Sequence, residues 1–508
     1  MACLARYGSR FFGRSFFLRE KNAAEIFVRL AKRWDDRTAI VSPRLTLSYS
    51  ELIVRAARSA RELRALGIGP GSVVGLAIRD GGETIVLMFS LWMLGAVPLP
   101  IDFRTTPTER ALLAEEFKLI AILEDRVSEA IGYVSILIDD SWTDVITHHD
   151  GRALFENCQP AHALISLTSG TTGRPLGIVL DHEQLLFRLA TNLQLGRKSP
   201  GGRLLNPFQM SSSSPRNHSL SKLFDGATVF FYPPLFSAGG LAEAVLSKAA
   251  TNLCVVPTLL RGLLELHRGQ HSPLFPHLDC LYCFGAPIMP DEKRAARSEL
   301  CRHFVEGYSS SASGRISVLS GRDIDVRPET VGRVLRHVQV QIVDDHDQLL
   351  PIGVAGAIRV RSPAMATKTY GGTTRTHGDR IKDGWVYPGD IGAIDDAGFL
   401  CLHGRASDLI IRGGFNVHPS EVESVLAEHA GVKEVAVVGF TKLREGEEIA
   451  AFVVPSVNLT EAELIEHCRA RLSPDKRPRK FVFATELPRN VNGKICRVKL
   501  RQQIENAG

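Results

Sequence analysis

The feature that most limits what this chain can fold into is a loop of hydroxyls and glycines between two apolar runs. The run from 163 to 167 predicts a buried strand, and strand-like composition returns from 178 to 180. The loop between them contains, in order, Thr168, Ser169, Gly170, Thr171, Thr172 and Gly173. Glycine lets the backbone approach a ligand closely, consecutive N–H groups can form an anion-binding hollow, and hydroxyls add donors without bulk. The loop is therefore suited to a polyphosphate, with a surface hairpin as the alternative.

The loop sequence can be compared with two known kinds of phosphate-binding loop. It lacks the Gly-Lys-Ser/Thr ending of a Walker A loop. The stretch from Thr168 to Pro175 instead resembles the phosphate loop of the adenylate-forming superfamily, which includes acyl-CoA synthetases, firefly-type luciferases and the adenylation domains of peptide synthetases. This resemblance implies that residues 168 to 173 hold the phosphates of ATP. One position departs from it, since Leu176 stands where the family usually has Lys.

Length, charge and cysteine content limit the class of protein. A chain of 508 residues is too long for one ordinary core and predicts two or more domains. The net charge of +6 is spread over this length and gives no nucleic-acid signal. Nine cysteines in so long a chain do not indicate a disulfide scaffold. Cys280 and Cys283 form a single CxxC in an apolar run, which predicts buried thiols rather than a zinc site.

The first 22 residues differ in composition from the rest of the chain. Arginines at positions 6, 10, 14 and 19 are interleaved with paired phenylalanines, and no acid precedes Glu20. This pattern predicts a basic tail or a mitochondrial-type targeting segment. A cytoplasmic location is the first expectation and a mitochondrial one the alternative. The most hydrophobic stretch, from 84 to 100, is too short and too interrupted to cross a bilayer, so no transmembrane segment is expected.

The order of apolar patterns predicts an α/β fold in two parts. From 23 to about 305, helices alternate with short apolar strands, which is typical of layered and mostly parallel sheets. Closely spaced strands between 332 and 361 predict a β-rich subdomain. From 419 onward the order helix, strand, strand, helix predicts a small α+β module, whose first helix has a capping box of Ser420 and Glu423. These patterns predict a large domain at 23–404 and a small C-terminal domain at 405–508. The resemblance implies that the large domain binds the nucleotide and the acyl group and that the small domain is mobile.

Residues near the expected adenine and acyl pockets match the family unevenly. The turn Gly285-Ala286-Pro287 ends an apolar strand and resembles the family's turn whose backbone borders adenine. Met210 stands where the family places a His near the acyl pocket, and four serines follow it at 211–214. Such a serine run is typical of a flexible loop. The sequence therefore does not identify the acid.

The stretch from Glu306 to Ala312 is similar to the family's Tyr-Gly-x-Thr-Glu segment. The resemblance implies that Tyr308 stacks on adenine, for which an aromatic face is suited. It also implies that Ser311 contacts phosphate and, weakly, a magnesium ion. Ala312 stands where the family has a Glu that helps to hold this ion, and a methyl group cannot bind a cation that requires oxygen ligands.

The junction between the predicted domains carries further matches. The run Asp-Gly-Trp-Val-Tyr-Pro-Gly-Asp ends at Asp390, and the resemblance implies that this carboxylate accepts hydrogen bonds from both ribose hydroxyls. Arg405 opens a Gly-Arg-x-x-Asp junction and is expected to reach the nucleotide. The resemblance implies that Ser407 occupies the hinge about which the family's small domain rotates between half-reactions. Gly413 and Gly414 would let the pantetheine arm of CoA pass close to the backbone.

The last candidate site residue in the sequence is a lysine, Lys494. The stretch around Lys494 resembles the family's Pro-x-x-x-x-Gly-Lys signature, which implies that this ammonium is catalytic and contacts both the substrate carboxylate and the α-phosphate. The whole resemblance covers about residues 24 to 502. It implies ATP-dependent activation of a carboxylic acid, fatty or another acyl, to an acyl-adenylate with release of pyrophosphate. Transfer to the thiol of CoA follows, and ATP, Mg²⁺ and CoA are the expected cofactor and co-substrates.

Alternatives in other functional classes remain open at this point. The acyl group could be loaded on the pantetheine of a separate carrier protein instead of CoA. Because Leu176 and Ala312 replace the usual Lys and Glu, the chain could also be a weakly active or non-catalytic nucleotide-binding homologue. A luciferase-like oxygenase is the least favoured, since no residue distinguishes it.

Overall fold

The computed structural model describes residues 22–126, 132–156, 162–168, 176–195, 201–232, 237–366, 368–370, 380–412, 415–442, 446–489 and 495–506. It has a large N-terminal domain of mixed sheets and helices and a smaller C-terminal domain, which confirms the predicted α/β class. The predicted N-terminal tail, residues 1–21 of it, lies outside the described residues.

The helices of the described residues alternate with strands through most of the large domain. In chain order they are α1 (Ala23–Ala31), α2 (Tyr49–Ala65), α3 (Gly81–Met93), α4 (Pro107–Phe117), α5 (Asp140–Thr147), α6 (His182–Asn192), α7 (Ser213–Leu223), α8 (Ala238–Ser247), α9 (Pro257–Leu266), α10 (Pro290–Ala295), α11 (Asp323–Val326), α12 (Pro419–Ala427), α13 (Glu461–Arg471) and α14 (Arg497–Asn506). Short turns of other helix types lie at Ala296–Leu300, Ala406–Asp408 and Pro474–Lys476.

The strands are short in the large domain and longest in the small one. In chain order they are β1 (Thr38–Val41), β2 (Thr46–Ser48), β3 (Val73–Ala77), β4 (Val97–Pro100), β5 (Ala121–Glu124), β6 (Ser135–Leu137), β7 (Leu164–Thr168), β8 (Leu176–Leu180), β9 (Arg203–Asn206), β10 (Thr228–Phe231), β11 (Asn252–Val255), β12 (Cys280–Phe284), β13 (Phe304–Ser310), β14 (Gly314–Ser320), β15 (Arg333–Val334), β16 (Gln339–Val343), β17 (Gly356–Arg361), β18 (Lys368–Tyr370), β19 (Arg380–Lys382), β20 (Trp385–Tyr387), β21 (Asp390–Ile394), β22 (Leu400–Arg405), β23 (Ile410–Arg412), β24 (Phe415–Val417), β25 (Val432–Lys442), β26 (Gly446–Pro455) and β27 (Lys480–Phe483).

A nine-stranded sheet is the centre of the large domain, in the order β15-β14-β13-β12-β11-β9-β10-β1-β2. Its strands from β1 to β13 in this order run parallel, while β2, β14 and β15 are antiparallel to their neighbours. A second sheet, β4-β3-β5-β6, is parallel throughout. Parallel strands buried on both faces read as continuous apolar runs, which is why the sequence pattern located them.

Helix α3 lies in the core between these sheets. Nearly all of its residues are buried, and its N-terminus is capped by the Asp80 carboxylate, which accepts hydrogen bonds from Gly82 and Glu83. A helix that is apolar on every side must be enclosed. The indole N–H of Trp92 donates to the carbonyl of Ala163, just before β7, at 2.6 Å. This contact joins the central helix to the strand that leads into the predicted phosphate loop. None of the described helices is long and apolar enough to cross a membrane.

The departure at Leu176 has a packing explanation. Strand β8 begins at this residue, two positions earlier than its composition predicts, and pairs with β7 so that Thr168 lies opposite Leu176. The Leu176 side chain is buried in the main hydrophobic core. An amine at this position would have to leave the core or lose its solvation there, so in this chain the position serves packing.

The predicted β-rich subdomain is confirmed as a six-stranded sheet with β19-β20-β17-β21-β22 as its main path and β16 beside β17. Its described pairings are antiparallel. The small domain is built on β25-β26-β27, with one hydrophobic cluster on each face of the sheet.

The predicted capping box at Ser420 is wrong. Helix α12 begins one residue earlier, at Pro419, because proline is already set in its φ angle for the first helical position. The Ser420 hydroxyl instead donates to the carbonyl of His403 at 2.5 Å, and Glu423 accepts from Arg497 at 2.6 Å. Both side chains therefore hold α12 against its neighbours rather than closing its first turn.

The predicted burial of Cys280 and Cys283 is confirmed. Both thiols are free and buried in β12. Burial raises the pKa of Cys280 to about 12 and also raises the pKa of Cys283. Both side chains therefore stay as neutral thiols that pack in the sheet.

A buried ion pair fixes the strand that carries Tyr308. The ammonium of Lys293, on α10, lies 2.7 Å from a carboxylate oxygen of Glu306, on β13, and both side chains are buried. Burial raises the pKa of Glu306, and the charge of Lys293 opposes that shift. Replacing Lys293 with Met is expected to lower the free energy of unfolding by about 3–5 kcal/mol, because the carboxylate is left buried without its cation.

Urea unfolding measures this loss. The matched control is Lys293→Met combined with Glu306→Gln, which removes the carboxylate charge as well and should recover most of the stability. A single variant that unfolds at the wild-type urea concentration would show that the pair does not hold β13.

Candidate functional site

Three chain segments that the sequence singled out meet at one edge of the nine-stranded sheet. Strands β12 and β13 are parallel, with Phe284 opposite Gly307, so the turn that begins at Gly285 lies beside Tyr308. Gly285 has a φ of 101°, a value that favours glycine and allows the chain to turn away from the sheet. The segment after β9, which contains Met210, leaves the same edge. Ligands of parallel sheets bind beyond the carboxyl ends of the strands, so this edge is the candidate site.

Gly307 is required by a close approach rather than by its backbone angle. A Cβ atom at this position would lie 2.2 Å from the hydroxyl oxygen of Tyr282, far inside van der Waals contact. The Tyr282 ring therefore packs directly against the backbone of β13. Its ring also stacks on Phe284 at a centroid distance of 5.7 Å, and Phe284 meets Phe208 edge-to-face at 5.8 Å. An aromatic wall thus runs along the site.

Tyr308, Asp390 and Arg405 form a hydrogen-bonded cluster. The Tyr308 hydroxyl donates to one carboxylate oxygen of Asp390 at 2.5 Å, and the Arg405 Nε lies 2.7 Å from the other. Asp390 begins β21 and Arg405 ends β22, and the two residues are direct partners in this antiparallel pair. The Arg405 guanidinium also donates to the carbonyl of Pro388 at 2.9 Å. Residues predicted from separate motifs are therefore brought together, across the junction of the main sheet and the β-rich sheet.

Arg188 was not predicted from the sequence, although it lies against the same site. Its guanidinium, on α6, donates to the carbonyls of Ser311, Ala312 and Ala364 at 2.9, 2.9 and 2.8 Å. Ala312 is fully buried. The arginine thus fixes the backbone of the segment that contains Ser311, at the position where the resemblance leads us to expect a carboxylate.

Arg216 is a second buried arginine beside the site. It is fully buried on α7 and donates to the carbonyls of Met210 and Ser211 and to the Ser166 hydroxyl, at 2.9, 3.0 and 2.9 Å. Burial, together with the nearby charge of Arg188, lowers its pKa to about 9. The serine run is therefore not a flexible loop, since α7 begins at Ser213 and Arg216 holds the chain that precedes it.

A cavity of about 30 Å³ opens beside Ser309 and Ser310, the residues that follow Tyr308. It lies between α6, α7, β12 and the start of β14. Its lining is polar and aromatic and includes Arg188, Asn192, Asn217, His218, Tyr282 and Arg315. Charged side chains of one sign thus border a pocket next to the predicted nucleotide site.

The predicted hinge is a short helical turn at Ala406–Asp408. The Ser407 hydroxyl donates to the carboxylate of Asp408 at 3.3 Å, and Asp408 lies 3.8 Å from the guanidinium of Arg497 in the last helix. The backbone N–H of Ala406 donates to the carbonyl of Gly389, so the turn starts directly beside Asp390. A hinge role for Ser407, and a domain boundary here, stay predictions.

Several predicted site residues lie outside the described residues. These are Ser169, Gly170, Thr171, Thr172, Gly173, Gly413, Gly414 and Lys494. Thr168 is described as the last residue of β7, which directs the chain into the predicted phosphate loop. Ala286 and Pro287 follow Gly285 at the sheet edge, where the sequence placed them.

Two residues that border the site had only a faint sequence signal. Arg188 interrupts the apolar pattern Leu-Leu-Phe-Arg-Leu-Ala, and Arg315 interrupts the strand that begins at Gly314. A charged residue inside an otherwise buried pattern indicates either a surface position or a buried functional group. Only the structure separates these, because it shows that both side chains are buried.

Comparison with known protein families gives two matches in chain order. The model described as AMP-binding enzyme matches residues 27–370, and the model described as AMP-binding enzyme C-terminal domain matches residues 421–494. The first match covers most of the described large domain, including the phosphate loop and Tyr308. The second covers most of the small domain.

Similar proteins cover nearly the whole chain. The indoleacetate–CoA ligase of Aromatoleum aromaticum is 28% identical over 489 residues, which are 92% of this chain and 95% of that protein. A 2-succinylbenzoate–CoA ligase of Bacillus cereus is 28% identical over 477 residues, 92% of this chain and 96% of that protein. The crystal structure of ATP-bound MatB from Rhodopseudomonas palustris is 27% identical, with a TM-score of 0.86 over 96% of this chain and 99% of the other.

Proposed function

This chain belongs to the AMP-binding enzyme family, and we propose that it activates an aromatic carboxylic acid with ATP and transfers the acyl group to CoA. The enzymes of this family are AMP-forming acid–thiol ligases that use ATP, Mg²⁺ and CoA, and this chain is one of them. The observation that carries the proposal is the presence of both family domains in order, in a fold that matches an ATP-bound relative over almost its full length.

The predicted fatty substrate is not supported. The relatives named above act on indoleacetate and 2-succinylbenzoate, which are aromatic acids. The wall formed by Phe208, Tyr282 and Phe284 beside the cavity is consistent with such a substrate, because stacked and edge-to-face rings favour another planar ring. We therefore propose an aromatic acid in place of a fatty one.

The proposed chemistry has two steps. A carboxylate oxygen attacks the α-phosphorus of ATP, the bond to the β-phosphate oxygen breaks, and pyrophosphate leaves. The CoA sulfur, after losing its proton, then attacks the acyl carbonyl carbon, and AMP leaves with the electron pair of the broken C–O bond. In the first step, Tyr308 and the turn at Gly285 would hold the adenine and Asp390 the ribose. This assignment is supported by the hydrogen-bonded cluster that brings Asp390, Tyr308 and Arg405 together.

Magnesium would offset the charge of the ATP phosphates. The described residues fit this ion only in part, because Ser311 offers one hydroxyl while Ala312 offers no side-chain oxygen. The carbonyls of both residues accept hydrogen bonds from Arg188. Magnesium commonly keeps several waters and takes the rest of its ligands from substrate phosphates, so phosphate oxygens and water would be its main ligands here.

The direct test of the proposal is the acyl-adenylate itself. Purified protein is incubated with ATP, magnesium and a mixed pool of aromatic and aliphatic acids, and adenylates are identified by mass spectrometry. We expect an aromatic adenylate that disappears when CoA is added, with a thioester appearing in its place. Product that appears only with a phosphopantetheinylated carrier protein would favour the carrier-loading alternative. Binding of ATP with no adenylate from any acid would favour the alternative of a non-catalytic nucleotide-binding homologue. Leu176 and Ala312, which replace the usual Lys and Glu, are the residues that suggest this alternative.

Replacing Lys494 with Ala is expected to slow pyrophosphate release by about 10²–10³-fold, since one charge that stabilises the transition state is removed. Lys499→Ala is the matched control, because this lysine lies on the exposed side of α14, close by in sequence. Supplying synthetic acyl-adenylate with CoA bypasses the first step, so thioester formation should fall much less in the Lys494 variant. Equal pyrophosphate rates in the wild type and Lys494→Ala would remove this lysine from the proposed mechanism.

A further inference from the structure

Arg315 is a buried cation to which the described residues supply no charged partner. This residue lies at the start of β14 and is 8% exposed. One Nη donates to the Asn192 side-chain oxygen at 2.6 Å, and the other reaches the carbonyl of Thr191 at 3.5 Å. Within the described part of the chain, its Nε has no hydrogen-bond partner and no carboxylate forms an ion pair with it. A buried charge costs several kcal/mol unless it is paired, so an uncompensated guanidinium facing a cavity indicates a missing anion.

The described neighbours of Arg315 supply no negative charge. The His218 Nδ1–H donates to the carbonyl of Ser214 at 2.9 Å, which leaves Nε2 as an acceptor 3.4 Å from the Arg315 guanidinium. Burial and the charge of Arg315 lower the pKa of His218 to about 3, so this ring is neutral at physiological pH. The face of Tyr282 lies under the guanidinium at 4.9 Å. These contacts orient the arginine without neutralising it.

The surroundings add further positive charge. Arg188 also lines the cavity, and Arg216, one residue before Asn217 in the lining helix, is fully buried and forms no ion pair among the described residues. The Nε of Arg216 is buried and has no hydrogen-bond partner among the described residues. Positive potential from several buried arginines in a low-dielectric pocket favours an anionic ligand group strongly.

We propose that this pocket binds a second carboxylate, or an equivalent anionic group, at the far end of the acid that the enzyme activates. The inference rests on the proposed function, because it names the substrate class of the same site. One end of the acid reacts at the nucleotide beside Tyr308, and the other end pairs with Arg315. The cavity of about 30 Å³ has room for about two water molecules, which is the size of one carboxylate group. The planar fork of Arg315 is suited to bind such a group through two hydrogen bonds.

The test compares acids that differ only in charge at the far end. One member of each pair carries a second carboxylate, as in 1,3-phenylenediacetate, and the other carries a carboxamide of the same shape at that position. For the wild type, kcat/KM for pyrophosphate release is expected to be about 100-fold higher with the diacid, because a fully buried charge pair is lost with the amide. Equal values for both members would overturn the inference.

Arg315→Met identifies the residue responsible. This variant is expected to reduce the diacid-to-amide ratio of kcat/KM to near one. The matched control is Arg322→Met, an exposed arginine just beyond the other end of the same strand, which should keep the wild-type ratio. A ratio that stays about 100-fold in Arg315→Met would assign the anion to another residue and contradict the inference.

Binding measurements separate this inference from the proposed function. Calorimetry of the wild type with AMP present measures the affinity for 1,3-phenylenediacetate and for its monoamide without any turnover. Tighter binding of the diacid would support the anion site even if no acid gave an adenylate, in which case the proposed function alone would fail. Adenylates formed equally from monoacids and diacids, with equal affinities, would leave the function intact and overturn the anion site. Because the wild type decides this comparison, it holds even if Arg315→Met does not fold.

Discussion

Replacing Asp390 with Ala is expected to lower kcat/KM for ATP by about 10²–10³-fold, mainly through a higher KM. Asp390 is 8% exposed, and its carboxylate joins Tyr308 to Arg405. The variant would remove the proposed ribose acceptor and also release both partners from their positions. Hydrogen bonds to a charged group contribute about 1.5–3 kcal/mol each, so the loss of two near the lower end of that range, about 3–4 kcal/mol, corresponds to this fold-change. Steady-state pyrophosphate release with varied ATP measures the effect.

Asp396→Ala is the control for this experiment. Asp396 is exposed in the turn that follows β21, in the same sheet as Asp390. It should leave the KM for ATP unchanged. Thermal unfolding of both variants shows whether the Asp390 effect comes from the site or from lost stability. A folded Asp390→Ala enzyme with the wild-type KM for ATP would mean that the carboxylate serves the fold and not the nucleotide.

Replacing Arg188 with Met is expected to lower the free energy of unfolding by about 3–5 kcal/mol. Arg188 is 4% exposed, and its guanidinium donates to the carbonyls of Ser311, Ala312 and Ala364, which a thioether cannot do. Each buried carbonyl left without a donor costs about 1–3 kcal/mol, and partial relaxation reduces the sum. Chemical denaturation measures the loss.

Arg302→Met is the matched surface control, since Arg302 is exposed and lies next to β13. It should unfold at the same denaturant concentration as the wild type. If Arg188→Met retained full stability and lost only its activity, the arginine would act on the ligand and not as a support for the segment around Ser311.

The fold was predictable where a sequence pattern is compatible with only one structure. The short apolar runs of β11 and β12 and the enclosed helix α3 could hardly be placed elsewhere than in a buried sheet and core. The prediction of a capping box at Ser420 was wrong because Ser420 and Glu423 contact distant residues, His403 and Arg497, instead of closing the first turn of their own helix. The serine-rich sequence did not predict α7. The preceding chain is held by Arg216 of the same helix, which donates to the carbonyls of Met210 and Ser211, and no local pattern indicates these contacts.

The candidate site was predictable where a motif lies in one continuous stretch. Tyr308, Asp390 and Arg405 each belong to such a stretch, and the structure brings them into one cluster. Arg188 and Arg315 escaped prediction because each is a lone charge in a helix or strand. Their importance depends on which distant backbone or cavity they face, and no local pattern encodes that.

The contact between Tyr308 and Asp390 bridges the nine-stranded sheet and the β-rich sheet, which are also joined by backbone hydrogen bonds of Leu400 with Val331 and Gly332. A nucleotide seated there would touch both sheets at once and would bind only when they are correctly docked. Folding and ligation are then thermodynamically linked, and saturating nucleotide at about 100 times its Kd would add about 2.7 kcal/mol to the stability of the docked state. The resting concentration of nucleotide around this enzyme would thus help to set how long it survives, apart from how fast it works.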